Sequence, residues 1–406
     1  MTALVDLLPA EAISEQDNRE RWSALGGELE AVVYPESTED VSRILAWASE
    51  EGVGVVPAGT GAHLGARSMK GRFVILSTER LNGIEIYEPD DLTLTAKAGT
   101  KLSTLARELS PHRQWLPFDP PDSESRTLGG LVSAGVSGPL WAGYGELRNH
   151  VLGATAVCGD GLVLRLGGRV VKNVAGFDLL RAVVGSRGTL AVLTSVCVRL
   201  FPVPEIDRLL VLKADSLADL VEAARGAATA PILPASAVLL QPAGEIGAGA
   251  ALMLRLHGAE ATVDAEQAKL ERHMRVQFER IQGDRVQALT RSARDHASRA
   301  PFVARVAVLP SHLAEVVRLL DRAPFADVTV DAYGGAVRIG LGPGELDFLP
   351  ELHRRVESLG GTVGMERLPA GTDPAPLVSE RSPEELDLTD RLQRVFDPRG
   401  ALWRQH

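Results

Sequence analysis

Apolar positions change their spacing several times along this chain, and each change predicts an element. Val32-Val33-Tyr34-Pro35 is a short apolar run stopped by proline, as in a strand. Val41, Ile44, Leu45 and Ala48 then recur at helical spacing behind Ser37 and Thr38, either of which can cap a helix that Gly52 ends. Val53–Pro57 is a second strand, and a Gly-rich turn, Ala58-Gly59-Thr60-Gly61-Ala62, follows. Strands dominate next: Phe73–Ser77, Ile84–Tyr87 and Leu92–Ala96, with Asn82-Gly83 and Pro89-Asp90 as turns and a short helix over Leu102–Ser110. Residues Pro117–Gly145 show little periodicity. Val151–Val157 and Leu162–Leu166 predict a hairpin around Gly159-Asp160-Gly161, followed by a helix at Asp178–Val184 and a long strand at Thr189–Leu200.

Pro202 and Pro204 mark a boundary, because the pattern beyond them changes. Leu209–Lys213 (strand), Leu217–Ala228 (helix), Ala237–Leu240 and Ala251–His257 (strands) form one βαββ round. Val303–Leu309, His312–Asp321, Val328–Ala332 and Ala336–Leu341 repeat it. Two such rounds predict one sheet with helices on one face. Amphipathic stretches at Phe348–Leu359 and Leu386–Val395 predict two further helices. The expected division is an N-terminal extension (1–20), a first folded unit (21–204), a second α+β unit (205–370) and a C-terminal segment with one helix (371–406).

Composition narrows the function classes. The net charge of −10 offers no basic stripe for nucleic acid, and acidic residues dilute the one basic stretch, Arg272–Arg299. Cys158 and Cys197 are the two cysteines and no CxxC occurs, so the chain itself cannot hold an iron–sulfur cluster or a structural zinc. A buried, reduced pair in a cytoplasmic protein is expected. The acidic N-terminus is unlike a secretory signal. The uncharged runs Thr127–Gly145 and Gly226–Gly244 are broken by glycine and proline, so no membrane span is expected.

Three constellations stand out. Gly59-Thr60-Gly61-Ala62-His63-Leu64-Gly65 has GxGxxxG spacing, not the dinucleotide fingerprint. Its successive amides can still form a nest for phosphate, or an ordinary tight turn. Pro120-Pro121-Asp122-Ser123 leads to Thr127-Leu128-Gly129-Gly130-Leu131 and Ser133, a segment too apolar for a merely flexible loop. Backbone brought close to a large planar ligand is the better reading. The third is Gly167–Asp178, containing Lys172, followed by Gly185-Ser186-Arg187-Gly188-Thr189-Leu190. Arg285, Arg291 and Arg294 stand at roughly helical spacing, as a grip for a carboxylate or a solvated face.

The ordered set of P-A-G-T-G, A-G-T, P-P-D…T-L-G-G, Y-G-E-L-R-N, K-N-V-A-G-F-D-L, G-S-R-G-T-L and L-F-P-V-P resembles the FAD-binding domain of the vanillyl-alcohol oxidase (PCMH-type) family. Within that family, G-G-R-V-V-K-N-V-A-G-F-D is most similar to the flavin-binding E subunits of bacterial glycolate oxidases. The resemblance implies an α+β fold: a PCMH-type FAD-binding domain of two α+β subdomains, then a smaller, truncated cap of ferredoxin-like βαββ repeats. It implies FAD, bound without a covalent bond, with Ala58, Gly59, Thr60, Gly61, Ala62 and His63 around the pyrophosphate. Asp122, Gly129, Gly130 and Ser133 would approach the isoalloxazine and ribityl chain, and Gly188 with Val192 would pack near the adenine. Lys172 would neutralise phosphate or reduced flavin, or stand exposed in a loop.

The implied activity is oxidation of glycolate to glyoxylate by hydride transfer to flavin. Electrons would pass to an iron–sulfur subunit beside a larger flavoprotein subunit, in the cytoplasm or on the inner face of the membrane through those partners. Catalytic relatives carry a His-rich metal motif, but no two of the nine histidines here lie within four residues of each other, so no metal site is expected. The common N-P-G ending is also replaced, by Phe396-Asp397-Pro398-Arg399-Gly400-Ala401-Leu402-Trp403. Two other outcomes stay open. One is a self-contained oxidase of the alditol or aldonolactone type; the other is a structural subunit with a vestigial flavin site.

Overall fold

Helix α1 (Thr38–Glu51) begins where the sequence allows it to. Ser37 accepts from the Asp40 amide while the Asp40 carboxylate accepts from the Ser37 amide, and Gly52 closes the helix in the left-handed conformation. The computed structural model describes residues 4, 7–14, 22, 25–62, 71–168, 178–321, 327–369, 379 and 382–403. Around α1 stand β1 (Ile13–Ser14), β2 (Glu28–Val33), β3 (Gly54–Ala58) and β4 (Arg72–Ser77), in the order β1-β2-β4-β3. The last three strands run parallel. Parallel strands need a crossover, and α1 supplies it between β2 and β3. At the chain's far end Leu402 bridges to Val55 in parallel, so the C-terminal tail borders β3.

A second, antiparallel sheet holds β5 (Ile84–Glu88), β6 (Thr93–Lys97), β8 (Val151–Cys158), β9 (Val163–Gly167) and β10 (Ala191–Arg199), in the order β5-β6-β10-β8-β9. The short β7 (Gln114–Trp115) pairs with β11 (Phe201–Pro202). Helix α1 lies between the two sheets: its buried face joins Val74 and Leu76 of the first and Val157 and Val192 of the second in one apolar cluster. Helices α2 (Leu102–Leu109), α3 (Leu128–Ala134), α4 (Trp141–Tyr144) and α5 (Leu179–Val183) complete this half. Helix α3 falls inside the stretch that lacks periodicity. Seven residues with two glycines give no readable repeat, but the Thr127 hydroxyl caps it and Leu128, Leu131 and Val132 are buried.

From Ile206 a single eight-stranded antiparallel sheet follows. It comprises β12 (Ile206–Ala214), β13 (Ser236–Gln241), β14 (Ala250–Gly258), β15 (Glu279–Ile281), β16 (Phe302–Ala307), β17 (Asp327–Asp331), β18 (Ala336–Leu341) and β19 (Thr362–Arg367), ordered β15-β12-β14-β13-β17-β18-β16-β19. Helices α6 (Leu217–Ala228), α7 (Glu260–Met274), α9 (Leu313–Leu320) and α10 (Leu349–Ser358) cover one face. The expectation of helices on one face alone needs correction. Helix α8 (Asp284–Asp295) packs Val286, Leu289 and Ala293 on the opposite face, against Leu209, Val211, Val238 and Met253. Alternate residues of the strands feed the two cores, so both faces of this part of the sheet are buried. The last helix, α11 (Pro383–Phe396), buries only Gln393 and Phe396.

Candidate flavin cleft and adjoining cavity

The three glycine-rich constellations meet. The turn leaving β3, the start of α3 and the loop entering β10 line one cleft of about 650 Å³. Ala58, Gly59, Thr60, Gly61 and Ala62 line it from the first constellation, Gly129, Gly130 and Ser133 from the second, and Gly188 from the third, with Val192 just beyond it on β10. Backbone hydrogen bonds zip these segments together. Gly129 N donates to Ala98 O at 2.7 Å and Leu128 N to Thr100 O at 2.9 Å, which fastens the T-L-G-G segment to A-G-T. Gly185 N donates to Val132 O at 3.0 Å and Arg187 N to Ser133 O at 2.7 Å, which fastens it to G-S-R-G-T-L. The Thr78 hydroxyl holds Ala58 O at 3.2 Å.

Bare backbone is required here. A β-carbon on Gly59 would stand 2.3 Å from Thr127 Oγ1, and one on Gly129 would stand 2.5 Å from the Ala98 β-carbon. Two guanidinium groups also line the cleft, Arg126 and Arg187. Neither shows in a periodicity reading; the only signal was a cation set within apolar, glycine-rich sequence. Burial lowers the Arg126 pKa to about 10, which leaves it a cation at neutral pH. Amides, apolar walls and two cations suit a dinucleotide that carries a pyrophosphate and flat rings, so the residues present fit FAD.

Asp122 does not line this cleft. It takes a left-handed conformation (φ 55°), and its amide donates to Asp295 Oδ1 at 2.8 Å, on α8. His63 and Lys172 lie outside the described residues.

A larger cavity of about 1350 Å³ opens between this half and the eight-stranded sheet. Gly138, Trp141 and Arg148 line one side; Arg305, Asp331 and Arg338 line the other. Trp141 Nε1 donates to Asp331 Oδ2 at 2.5 Å across the gap. Burial raises the Asp331 pKa, while the hydrogen bonds from Trp141, Gly334 and Tyr333 oppose that rise. Of the three arginines at helical spacing, only Arg294 reaches the cavity. It grips Asp295 at 2.8 and 2.7 Å, whereas Arg291 pairs with Glu124 at the surface and Arg285 is exposed.

Beside the cavity a polar strut joins the two halves. Tyr144 Oη meets His257 Nδ1 at 2.8 Å, His257 Nε2 meets Asp207 Oδ1 at 3.1 Å, and Arg255 donates to both Asp207 oxygens at 2.8 and 2.6 Å. Among the described residues no three His, Cys, Asp or Glu side chains group to hold a metal ion, and none of the described helices is long and apolar enough to cross a membrane.

A family model described as an FAD binding domain matches residues 29–167. Glycolate oxidase subunit GlcD of Bacillus subtilis (strain 168) is 28% identical over 92% of this chain and 87% of its own length. D-lactate dehydrogenase of Archaeoglobus fulgidus is 38% identical over 42% of this chain, and glycolate oxidase subunit GlcE of Escherichia coli (strain K12) is 45% identical over 30% of it. These two matches cover 38% and 35% of the relatives' own lengths. Among solved structures, an alkyldihydroxyacetonephosphate synthase superimposes with a TM-score of 0.71 at 16% identity, over 98% of this chain and 83% of that one. The fold is the PCMH-type FAD-binding fold, and FAD is the cofactor.

Proposed function

We propose that this chain is an FAD-dependent oxidoreductase subunit that oxidises a small 2-hydroxy acid, with glycolate to glyoxylate as the leading case. The observation that carries the reading is the convergence of three glycine-rich segments on one cleft beside a cavity lined by cations. Bound there, FAD supplies a two-electron acceptor for the hydride that leaves the substrate carbon. The chain's own residues do the rest. Ala58–Ala62 and Arg126 hold the phosphates, Gly129, Gly130 and Ser133 admit the flavin and ribityl chain, and Gly188 and Val192 pack against the adenine side. The cavity next to the cleft receives the hydroxy acid, whose hydroxyl proton passes to water or to a cavity carboxylate.

The finer reading is that the chain is the E-type flavoprotein of a glycolate oxidase complex. It works beside a larger flavoprotein subunit and passes electrons to an iron–sulfur subunit, at the inner face of the membrane through those partners. Its likeness to both GlcD and GlcE supports this. So does an aliphatic stripe on α11, where Leu388, Leu392 and Val395 are 53%, 39% and 76% exposed, as expected of a chain that works against other proteins. A second reading, a subunit that turns over substrate by itself, is favoured by the likeness to GlcD over most of both chains.

One experiment tests these readings together. The chain is purified at native abundance with whatever accompanies it, its visible spectrum is recorded, and glycolate is added without oxygen. A yellow protein that bleaches with glycolate supports the activity, and a brown, cysteine-rich companion supports the complex. Bleaching of the isolated chain favours the second reading. A colourless chain that takes up no FAD sinks the proposal.

A further inference from the structure

The wall of the larger cavity contains an arrangement that costs the sheet stability. Arg305 on β16 and Arg338 on β18 are direct partners in the antiparallel register, and Thr329 on β17 continues the same row. Both guanidinium groups line the cavity. Like charges directly opposite each other on neighbouring strands destabilise a sheet. The two are not equivalent. Arg338 is held: its Nε donates to Glu366 Oε2 at 2.8 Å and its Nη1 to Ser298 Oγ at 3.1 Å.

Arg305 is exposed and forms no ion pair with any described residue. Asp331, on β17 at the far side of β18, is already engaged by the Trp141 indole and by the amides of Tyr333 and Gly334. Of the four guanidinium groups that line the cavity, Arg148, Arg294 and Arg338 each pair with a carboxylate, Glu146, Asp295 and Glu366, which leaves Arg305 as the one whose fork no carboxylate occupies among the described residues. Among the described residues neither histidine nor cysteine lines it. A soft or borderline metal ion would find no ligand set there, whereas an oxyanion would relieve the facing charges.

We propose that Arg305, braced beside Arg338, is the anion clamp of this cavity and holds the substrate carboxylate without a metal ion. This rests on the 2-hydroxy acid reading and adds to it the residue and the chemistry of recognition. A planar fork presents two N–H donors to a carboxylate in parallel, which an ammonium group cannot reproduce. The bond is charge-assisted and partly solvated, so it weakens as ionic strength rises.

The test uses the full chain loaded with FAD and oxalate, a carboxylate that cannot be oxidised by loss of a hydride. Binding is read by calorimetry and by the shift of the flavin absorption bands, before and after dialysis against EDTA. Arg305→Gln is expected to weaken oxalate binding roughly ten- to hundredfold, the range for a lost hydrogen bond between charged groups. Arg305→Lys recovers part of the loss, FAD content stays at the wild-type ratio, and EDTA changes nothing. Unchanged oxalate affinity in Arg305→Gln overturns the clamp. So does loss of binding in EDTA that a divalent cation restores, or failure of the wild-type holoprotein to bind oxalate. If Arg305→Gln loses its flavin, Arg305→Met and the salt dependence of the wild-type protein decide instead, with salt-insensitive binding counting against the clamp. A chain that binds oxalate through Arg305 but is not reduced by glycolate keeps the clamp and loses the proposed activity.

Discussion

The Thr127 hydroxyl stands where a Gly59 side chain would have to be, 2.3 Å from a β-carbon built on that residue. The same oxygen caps α3 by accepting from Gly130 N at 3.2 Å. One atom therefore sets both the Gly59 turn and the helix that faces it across the cleft. Gly59→Ala is expected to yield folded protein that loses most of its FAD, read as the flavin-to-protein absorbance ratio after gel filtration. Thr127→Ala alone costs about 1 kcal/mol through the lost cap. Combined with Gly59→Ala it restores part of the flavin content, because it removes the clashing atom. If the double variant is no better than the single one, the contact is not what excludes the side chain.

Trp141→Phe removes the indole N–H that reaches Asp331 across the larger cavity, while the Tyr333 and Gly334 amides still serve the carboxylate. A loss of about 1.5–3 kcal/mol, the range for a hydrogen bond to a charged group, is expected in urea unfolding. A midpoint equal to wild type would show that the two halves are held together elsewhere.

Asp207→Asn should be the more damaging change. Burial opposes ionisation of Asp207, but the Arg255 fork and His257 outweigh it and hold the carboxyl below the usual range. With the acid's folded pKa depressed, its stabilisation is complete above about 4, the unfolded value, and is lost as pH falls through the folded value. Neutralising it strands Arg255, whose side chain is 4% exposed, at a cost of about 3–5 kcal/mol. Denaturant unfolding at pH 7 and an acid titration of wild type and variant check both statements.

Asp119 works in the opposite direction. Burial pushes its carboxyl up to about 7, despite the Leu140 amide and the nearby charges of Arg255 and Arg294. The folded state then holds this proton more tightly than the unfolded chain, so its contribution to stability falls as pH rises from about 4 to about 7. Asp119→Asn keeps the oxygen that accepts from Leu140 N at 3.0 Å and removes the titration. Its stability difference between pH 5 and pH 8 should be smaller than that of wild type, and a larger one would refute the assignment.

Much of this was legible because local signals agreed with the fold. The periodicity at Leu217–Ala228, the Ser37 cap and the Gly159-Asp160-Gly161 turn each matched an element. Glycine clusters marked the cleft because a side chain has a steric cost there that no other local argument explains. Facts that depend on register stayed hidden. Arg305 and Arg338 face each other only once β16 and β18 pair, and Arg294 reaches the cavity only because α8 crosses to the second face of its sheet. Asp122 shows the same limit: a motif fixes a segment, and the contact of its amide with Asp295 on α8 follows only from the packed fold.

The segment that borders β3 ties the cleft to a distant part of the sequence. Val55 N donates to Ala401 O and Trp403 N to Val55 O, so Ala401–Trp403 completes the edge of the sheet from which the Gly59 turn emerges. Support for that turn is therefore long-range, and a change at Ala401–Trp403 acts on the cleft without touching any residue that lines it.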